Sequence, residues 1–382
     1  MNLRYFSTLT KLIRRFDMSS DTESLTIGPK PDDSIHIIHE ALRHRKEEIP
    51  LSYLMGISGE AFRFFYNRQQ LKKGMHTTFY NPLRAASKAL GFEHEMIYDD
   101  TFQAAWDRLQ NNVQLGKTAL IPLSDGCSFL IENDNPNTVV CQNGHRHEFS
   151  FDQLREKWQK LEGLLEMGLH GYYQFVLGNR PHRPKEREMA LGTFRSASKL
   201  MKSRRKIRGC SMGISAYEEL ISHMQRIIDQ QQDIEKRSEI AKWNKKLLLQ
   251  CLEGRRAAVS YIEIVRKDFE GEELEHLERA VVAYRNVVKL LESLQTIFPS
   301  PKSVSAETYS NPTTNHSEGS QLTEQRFILK IPVFGKNWQT QAKQFKLSCK
   351  ASIKLLKKLV KFEFDGVSAL EDVVRVGEKL KM

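Results

Sequence analysis

Apolar residues at helical spacing open the ordered part of the chain. Ile35, Ile38 and Leu42 share one stripe, and Asp33 or Ser34 can cap the helix they predict. A Gly-rich corner, Gly56-Ile57-Ser58-Gly59, leads into Ala61-Phe62-Arg63-Phe64. Pro82 to Leu90 predicts a helix stopped by Gly91. Thr101 caps another through Trp106 and Leu109, stopped by Gly116. The pattern then alternates, and Thr118–Leu123, Cys127–Glu132, Thr138–Gln142 and Arg146–Phe149 read as strands. Asn133 to Asn137 makes one turn and Asn143-Gly144 a tight hairpin. A helical start followed by an antiparallel meander is an α+β domain, expected over residues 30–151.

Residues 152–298 read as almost wholly helical. The clearest stripe is Leu274, Leu277, Val281, Tyr284, Val288 and Leu291, from about Glu272 onward. Residues 299–324 are polar and rich in Ser, Thr and Pro, which predicts a disordered linker. Residues 325–382 hold a short β-like stretch, Phe327–Val333, and then a basic amphipathic tail. At the other end, Phe6, Leu9, Ile13 and Phe16 give residues 1–29 an amphipathic, flexible character. Two readings of that segment stay open: an organellar presequence, or a frayed terminus with translation starting at Met18.

Charge sharpens this picture. The composition is ordinary for a globular chain, 40% hydrophobic and 27% charged, so the net +11 matters chiefly through its placement. Residues 325–362 contain Arg326, nine lysines and no acid; residues 1–16 contain Arg4, Lys11, Arg14 and Arg15, again with no acid. The rest is close to neutral. On a helix, Lys343, Lys346, Lys350, Lys354, Lys357, Lys358 and Lys361 fall within about a 120° arc. Phe345, Ile353, Leu356, Leu359 and Val360 lie opposite, with Leu347 the one exception. Such a helix suits an anionic membrane surface or an acidic protein groove, or packs on its own core with a solvated lysine face. The unbalanced charge favours the surface-binding readings. No apolar run approaches ~18 residues, and five scattered cysteines without a CxxC pair fit a reducing compartment. A cytoplasmic, peripherally membrane-bound protein is the expectation.

The front of the chain resembles the butirosin-biosynthesis protein H family. The residues that carry the likeness are Leu54-Met55-Gly56-Ile57-Ser58-Gly59-Glu60-Ala61-Phe62-Arg63, then Ala85-Ala86 and Ala89-Leu90-Gly91-Phe92. Further on they are Gly213, Ala216-Tyr217, Trp243-Asn244 and Arg255-Arg256-Ala257-Ala258. The resemblance implies a papain-like amino-terminal domain, a helical companion, acyl-transfer chemistry and an acidic acyl carrier protein as partner. It also implies a cysteine opening the first helix and an activating histidine near the start of a later strand. Here the helix opens at Asp33 or Ser34, and the strand reads Gly126-Cys127-Ser128-Phe129. Both members of the dyad are missing from their places, which predicts a degenerate, non-catalytic relative. Ser34, Cys127, His145 and His147 are the remaining candidates for a reacting group.

Other groupings carry less. Cys141, His145 and His147 lie close together but lack a fourth zinc ligand, and His36, His39 and His44 interleave with a helix stripe. No metal and no cofactor is expected. Arg195, Lys199, Lys202, Arg204, Arg205, Lys206 and Arg208 form an acid-free run. It reads as a solvated face or as a docking patch for an acidic partner. Nucleic acid is the weaker partner for it, because only Phe194 is nearby for base stacking.

Overall fold

The structure, a computed structural model, describes residues 31–68, 82–123, 126–134, 137–142, 145–158, 160–161, 171–206, 209–229, 234–297 and 338–380. The expected amphipathic start at residues 1–29, the 299–324 linker, the Phe327–Val333 stretch and Arg208 lie outside these residues. In chain order the first elements are α1 (Pro31–His44), α2 (Leu51–Ile57), β1 (Phe65–Tyr66), α3 (Pro82–Leu90), β2 (His94–Asp99) and α4 (Phe102–Gln114). The meander follows as β3 (Thr118–Leu123), β4 (Gly126–Asp134), β5 (Asn137–Gln142) and β6 (His145–Ser150). Then come α5 (Phe151–Lys157), β7 (Lys160–Leu161), β8 (Gly171–Leu177), α6 (Glu186–Met201) and β9 (Ser211–Met212). Four helices follow among the described residues: α7 (Ile214–Asp229), α8 (Ile234–Val265), α9 (Gly271–Ile297) and α10 (Trp338–Lys379). Helix predominates, and the sheets are antiparallel.

The chain divides into two compact units, and the division does not fall at residue 151. One unit takes α1 through Lys46 together with Phe92–Pro181; the other takes Glu47–Arg68, Arg84–Gly91 and the described chain from His182.

The first unit is a sheet in the order β2-β8-β3-β4-β5-β6, with β7 added to β8. The meander β3 to β6 is the one the alternation predicts, although β4 and β5 each extend further, to Asp134 and from Asn137. Strand β8 corrects the wholly helical reading of residues 152–298. It enters between β2 and β3, with Phe175 opposite both Met96 and Leu120. Its run Gly-Tyr-Tyr-Gln-Phe-Val-Leu is buried almost throughout. A short apolar run of this kind does not distinguish a core strand from a buried helical turn by periodicity. Helix α4 seats Phe102, Trp106 and Leu109 in a core with Ile97, Ile121, Trp158 and Val176. Its start is capped as expected, the Ala104 N–H donating to Thr101 Oγ1 at 3.2 Å. Helix α1 begins at Pro31, a favoured first residue. Asp33 and Ser34 therefore lie inside its first turn rather than at its cap, while Ile35, Ile38 and Leu42 are buried as the stripe predicts.

The second unit is helical. The Gly-rich corner belongs here, and its two glycines act differently. Gly59 opens the turn at φ 77°, whereas Gly56 ends a helix pressed onto α8. A Cβ on Gly56 would lie 2.0 Å from Cγ of Tyr261. Gly56→Ala is expected to lower stability by about 1–3 kcal/mol, read as a shift in the denaturant midpoint at unchanged slope. An unshifted midpoint would show that α2 is not held against α8.

The described part of the expected 325–382 tail, residues 338–380, is no separate tail. Helix α10 runs for 42 residues, roughly 60 Å, and packs on α6, α7 and α9. Its apolar stripe, including Cys349, Ile353, Leu356, Leu359 and Val367, completes the core formed by Tyr217, Leu248, Leu252, Val287 and Leu291. The physical reason is the ordinary one for amphipathic helices: the stripe removes more apolar area from water on a protein core than alone.

Candidate functional site

Core packing fixes the direction of the α10 lysines. Because Cys349, Ser352, Ile353, Leu356 and Leu359 face inward, Lys343, Lys346, Lys350, Lys354, Lys357, Lys358 and Lys361 are all exposed. None of the seven forms a salt bridge among the described residues. Most acids of α10 come after the seven lysines and are used otherwise: Glu371 and Glu378 pair with Lys202 at the end of α6 and Arg195 of α6, and Asp372 with Arg279 of α9, while Asp365 lies exposed beside the lysines. Two large apolar side chains share the lysine arc. Leu347 is 58% exposed and Phe364 51% exposed, Phe364 lying 5.3 Å from the Lys202 ammonium. Lysines thus line about 27 Å of helix with apolar residues set among them.

Beneath α10 is a polar knot that the sequence reading missed. Arg255 of α8 is wholly buried, and its Nε donates to Glu363 Oε1 at 2.5 Å. Its Nη1 donates to the Ala61 and Arg63 carbonyls at 2.8 and 3.2 Å, and its Nη2 to Tyr217 Oη at 3.3 Å. The Tyr217 hydroxyl donates to the same Glu363 oxygen at 2.8 Å and lies 2.9 Å from Cys251 Sγ. Burial holds the Tyr217 hydroxyl protonated, well above its usual range, and pushes the Cys251 thiol up to about 11. Residues from separate stretches of the chain meet here: Ala61, Arg63, Tyr217 and Arg255. Gly213 joins them through its N–H, which donates to the Phe64 carbonyl at 2.8 Å. With no exposed atom in its ion pair, the knot is structural. Its one sequence signal is Glu363, an acid interrupting the apolar stripe between Leu359 and Val367.

The acid-free run at 195–208 is divided by the fold. Arg195, Lys202 and Lys206 pair with Glu378, Glu371 and Glu219 of the same unit, so the run is not one continuous docking patch. Lys199 lies exposed on α6, and Arg204 and Arg205 lie exposed beyond its end. Arg204 and Lys206 border a hollow of about 480 Å³ along α7. The α7 side presents Ser215, Glu218, Ser222 and Arg226, and β9 contributes Ser211. Glu219 is already matched: burial works against its charge, but hydrogen bonds from Lys206 and Ser211 outweigh this and hold its carboxyl below the usual range.

Next to Ser222, His223 turns inward, where its Nδ1 meets the Tyr66 hydroxyl at 2.5 Å; that hydroxyl also reaches Asn244 Oδ1 at 3.3 Å. Burial, followed by the charges of Arg68 and Arg226, lowers His223 from 6.5 to about 4. Between these values the unfolded chain binds a proton that the folded chain does not, so stability falls as pH drops from 6.5 toward 4. Denaturant midpoints measured across this window are expected to fall more steeply in the wild type than in His223→Gln. Equal slopes would mean that His223 is protonated in place.

The remaining candidates are located by element. Ser34 lies in the first turn of α1 and Cys127 in β4 opposite Pro122; their side chains lie outside the described residues. His145 and His147 are exposed on β6, with β5 between that strand and β4, a lateral spacing of about 10 Å. A base must approach its nucleophile to ~3 Å. Of the cysteines whose side chains are described, Cys210, Cys251 and Cys349 are buried, and burial pushes Cys210 up to about 11. No group of three or more metal-ligating side chains is found among the described residues.

The fold and its surfaces therefore define a mixed α and β protein with a mainly helical second unit and an unpaired lysine face. No described helix is long and apolar enough to cross a membrane. A scan of protein-family models and a search of curated proteins each give no match to the chain.

Proposed function

We propose that the chain is a binding or scaffold protein that attaches to anionic membrane surfaces through the lysine face of α10. The observation that carries this reading is the seven exposed lysines without a carboxylate partner, on a helix whose other face is committed to the core. Contact is electrostatic first, and Leu347 and Phe364 enter the headgroup region among the lysines. This differs from insertion of the whole apolar face, because Leu356 and Leu359 are unavailable. Lysines without arginine forks, with Phe364 as a single exposed aromatic among them, suit diffuse headgroup charge better than nucleic acid. The body that carries this face is a degenerate papain-like protein of the butirosin-biosynthesis protein H type, without a working thiol; the opening of α1, which reads Pro31-Asp32-Asp33-Ser34 with no cysteine, supports that reading. The test is co-sedimentation of the intact chain with neutral and anionic liposomes, beside duplex DNA, single-stranded RNA and an acyl carrier protein. Binding to anionic liposomes that disappears at high salt is expected. Indifference to them, with capture of nucleic acid or carrier protein, overturns the membrane reading.

A further inference from the structure

We infer that the hollow along α7 binds the phosphate monoester group of a small ligand. Its donors converge from separate parts of the chain: Arg204 from the segment after α6, and Arg226 and Ser222 from α7. Neither Arg204 nor Arg226 has a carboxylate partner among the described residues. Arg226 makes only long contacts, 3.4 and 3.5 Å, to the carbonyl and hydroxyl of its neighbour Ser222. Three of its five N–H groups therefore remain for a ligand. Ser222 accepts in that pair, which leaves its own O–H free to donate. Lys206 adds charge while one of its protons holds Glu219.

The available donors are thus guanidinium, ammonium and hydroxyl groups, set on two sides of an open hollow. A carboxylate offers two oxygens in one plane, whereas a phosphate monoester offers three in a tripod and nearly twice the charge. Arg204, Lys206 and Arg226 against Glu218 and Glu219 leave the hollow net cationic. About 480 Å³ is far more than a phosphate fills and lies in the range of small-molecule sites, so the phosphate is one end of a larger molecule. Glu218, exposed on the same face, is placed to accept from a hydroxyl or amine at the other end.

A soluble phosphorylated metabolite and a phosphatidic acid headgroup share this chemistry, and two arms of one experiment separate them. The first is calorimetric titration of the intact chain with glycerol 3-phosphate, using sodium chloride at equal ionic strength as the control. The second is binding to vesicles containing phosphatidic acid, carried out on a Lys354→Gln, Lys357→Gln, Lys358→Gln, Lys361→Gln background to remove the α10 contribution. The variant Arg204→Gln with Arg226→Gln should weaken glycerol 3-phosphate at least about tenfold, with an unchanged melting temperature because both side chains are exposed. The α10 variant should bind glycerol 3-phosphate as the wild type does, so failure of the membrane reading and failure of this one are distinguishable. Loss confined to the phosphatidic acid arm also supports the site and assigns its phosphate to a lipid. An affinity unaffected by the arginine changes in both arms, or no binding in either arm, overturns it.

Discussion

Glu363→Ala is expected to destabilise the helical unit by about 3–5 kcal/mol, because it leaves the Arg255 guanidinium buried without its counter-charge. Both side chains are completely buried, so water cannot replace the missing carboxylate. The change also removes the acceptor for the Tyr217 hydroxyl. For a unit of this size a loss of that magnitude lowers the melting temperature by roughly 10 °C. Arg255→Met in the same chain should recover part of the loss, because a pair removed together leaves no isolated charge. A single-variant shift under about 2 °C would mean that the pair reaches solvent. The double variant also separates the knot's contribution to stability from any role in binding, since the lysine face of α10 is untouched.

Changing Lys354, Lys357, Lys358 and Lys361 to glutamine should abolish binding to anionic liposomes while leaving the fold intact. Each lysine at such a surface contributes ~1 kcal/mol, so removing four weakens binding by about a thousandfold. All four are exposed and free of salt bridges among the described residues, so their loss has no structural counterpart. Salt should act in the same direction, because the screening length shortens from about 10 Å at 0.1 M to about 3 Å at 1 M. Leu347→Ser and Phe364→Ser should weaken binding without lowering stability. Leu356→Ser and Leu359→Ser should instead unfold the unit, since both leucines are fully buried in its core. Persistent liposome binding by the four-lysine variant would remove the α10 face as the attachment site.

Much of this protein is legible along the chain where the controlling interactions are local. The meander β3 to β6 follows from alternation, and the Thr101 cap from a side-chain oxygen at a helix start. The lysine arc follows from residue spacing alone, because 100° per residue fixes which side chains share a side. Even the exception at Leu347 was visible in that projection. What spacing does not specify is the partner of each face. An amphipathic helix has the same sequence pattern on a membrane as on its own core, and only the packing of Leu356 and Leu359 against Tyr217, Leu252 and Leu291 decides between them.

The other misreadings share that cause. Strand β8 carries no alternation because both of its faces are covered, so it is invisible to a test that depends on one wet face. The run at 195–208 is uninterrupted in sequence, yet Glu219, Glu371 and Glu378 reach it from distant turns and neutralise three of its members. The knot joins Ala61, Tyr217, Arg255 and Glu363 across 302 positions, a pairing no local pattern encodes. Sequence by itself therefore determined the helix faces, the meander and where positive charge accumulates. Tertiary structure alone decided which faces are spent on the core and which charges meet counter-ions, since burial and ion pairing depend on residues far apart in the chain arriving at one place.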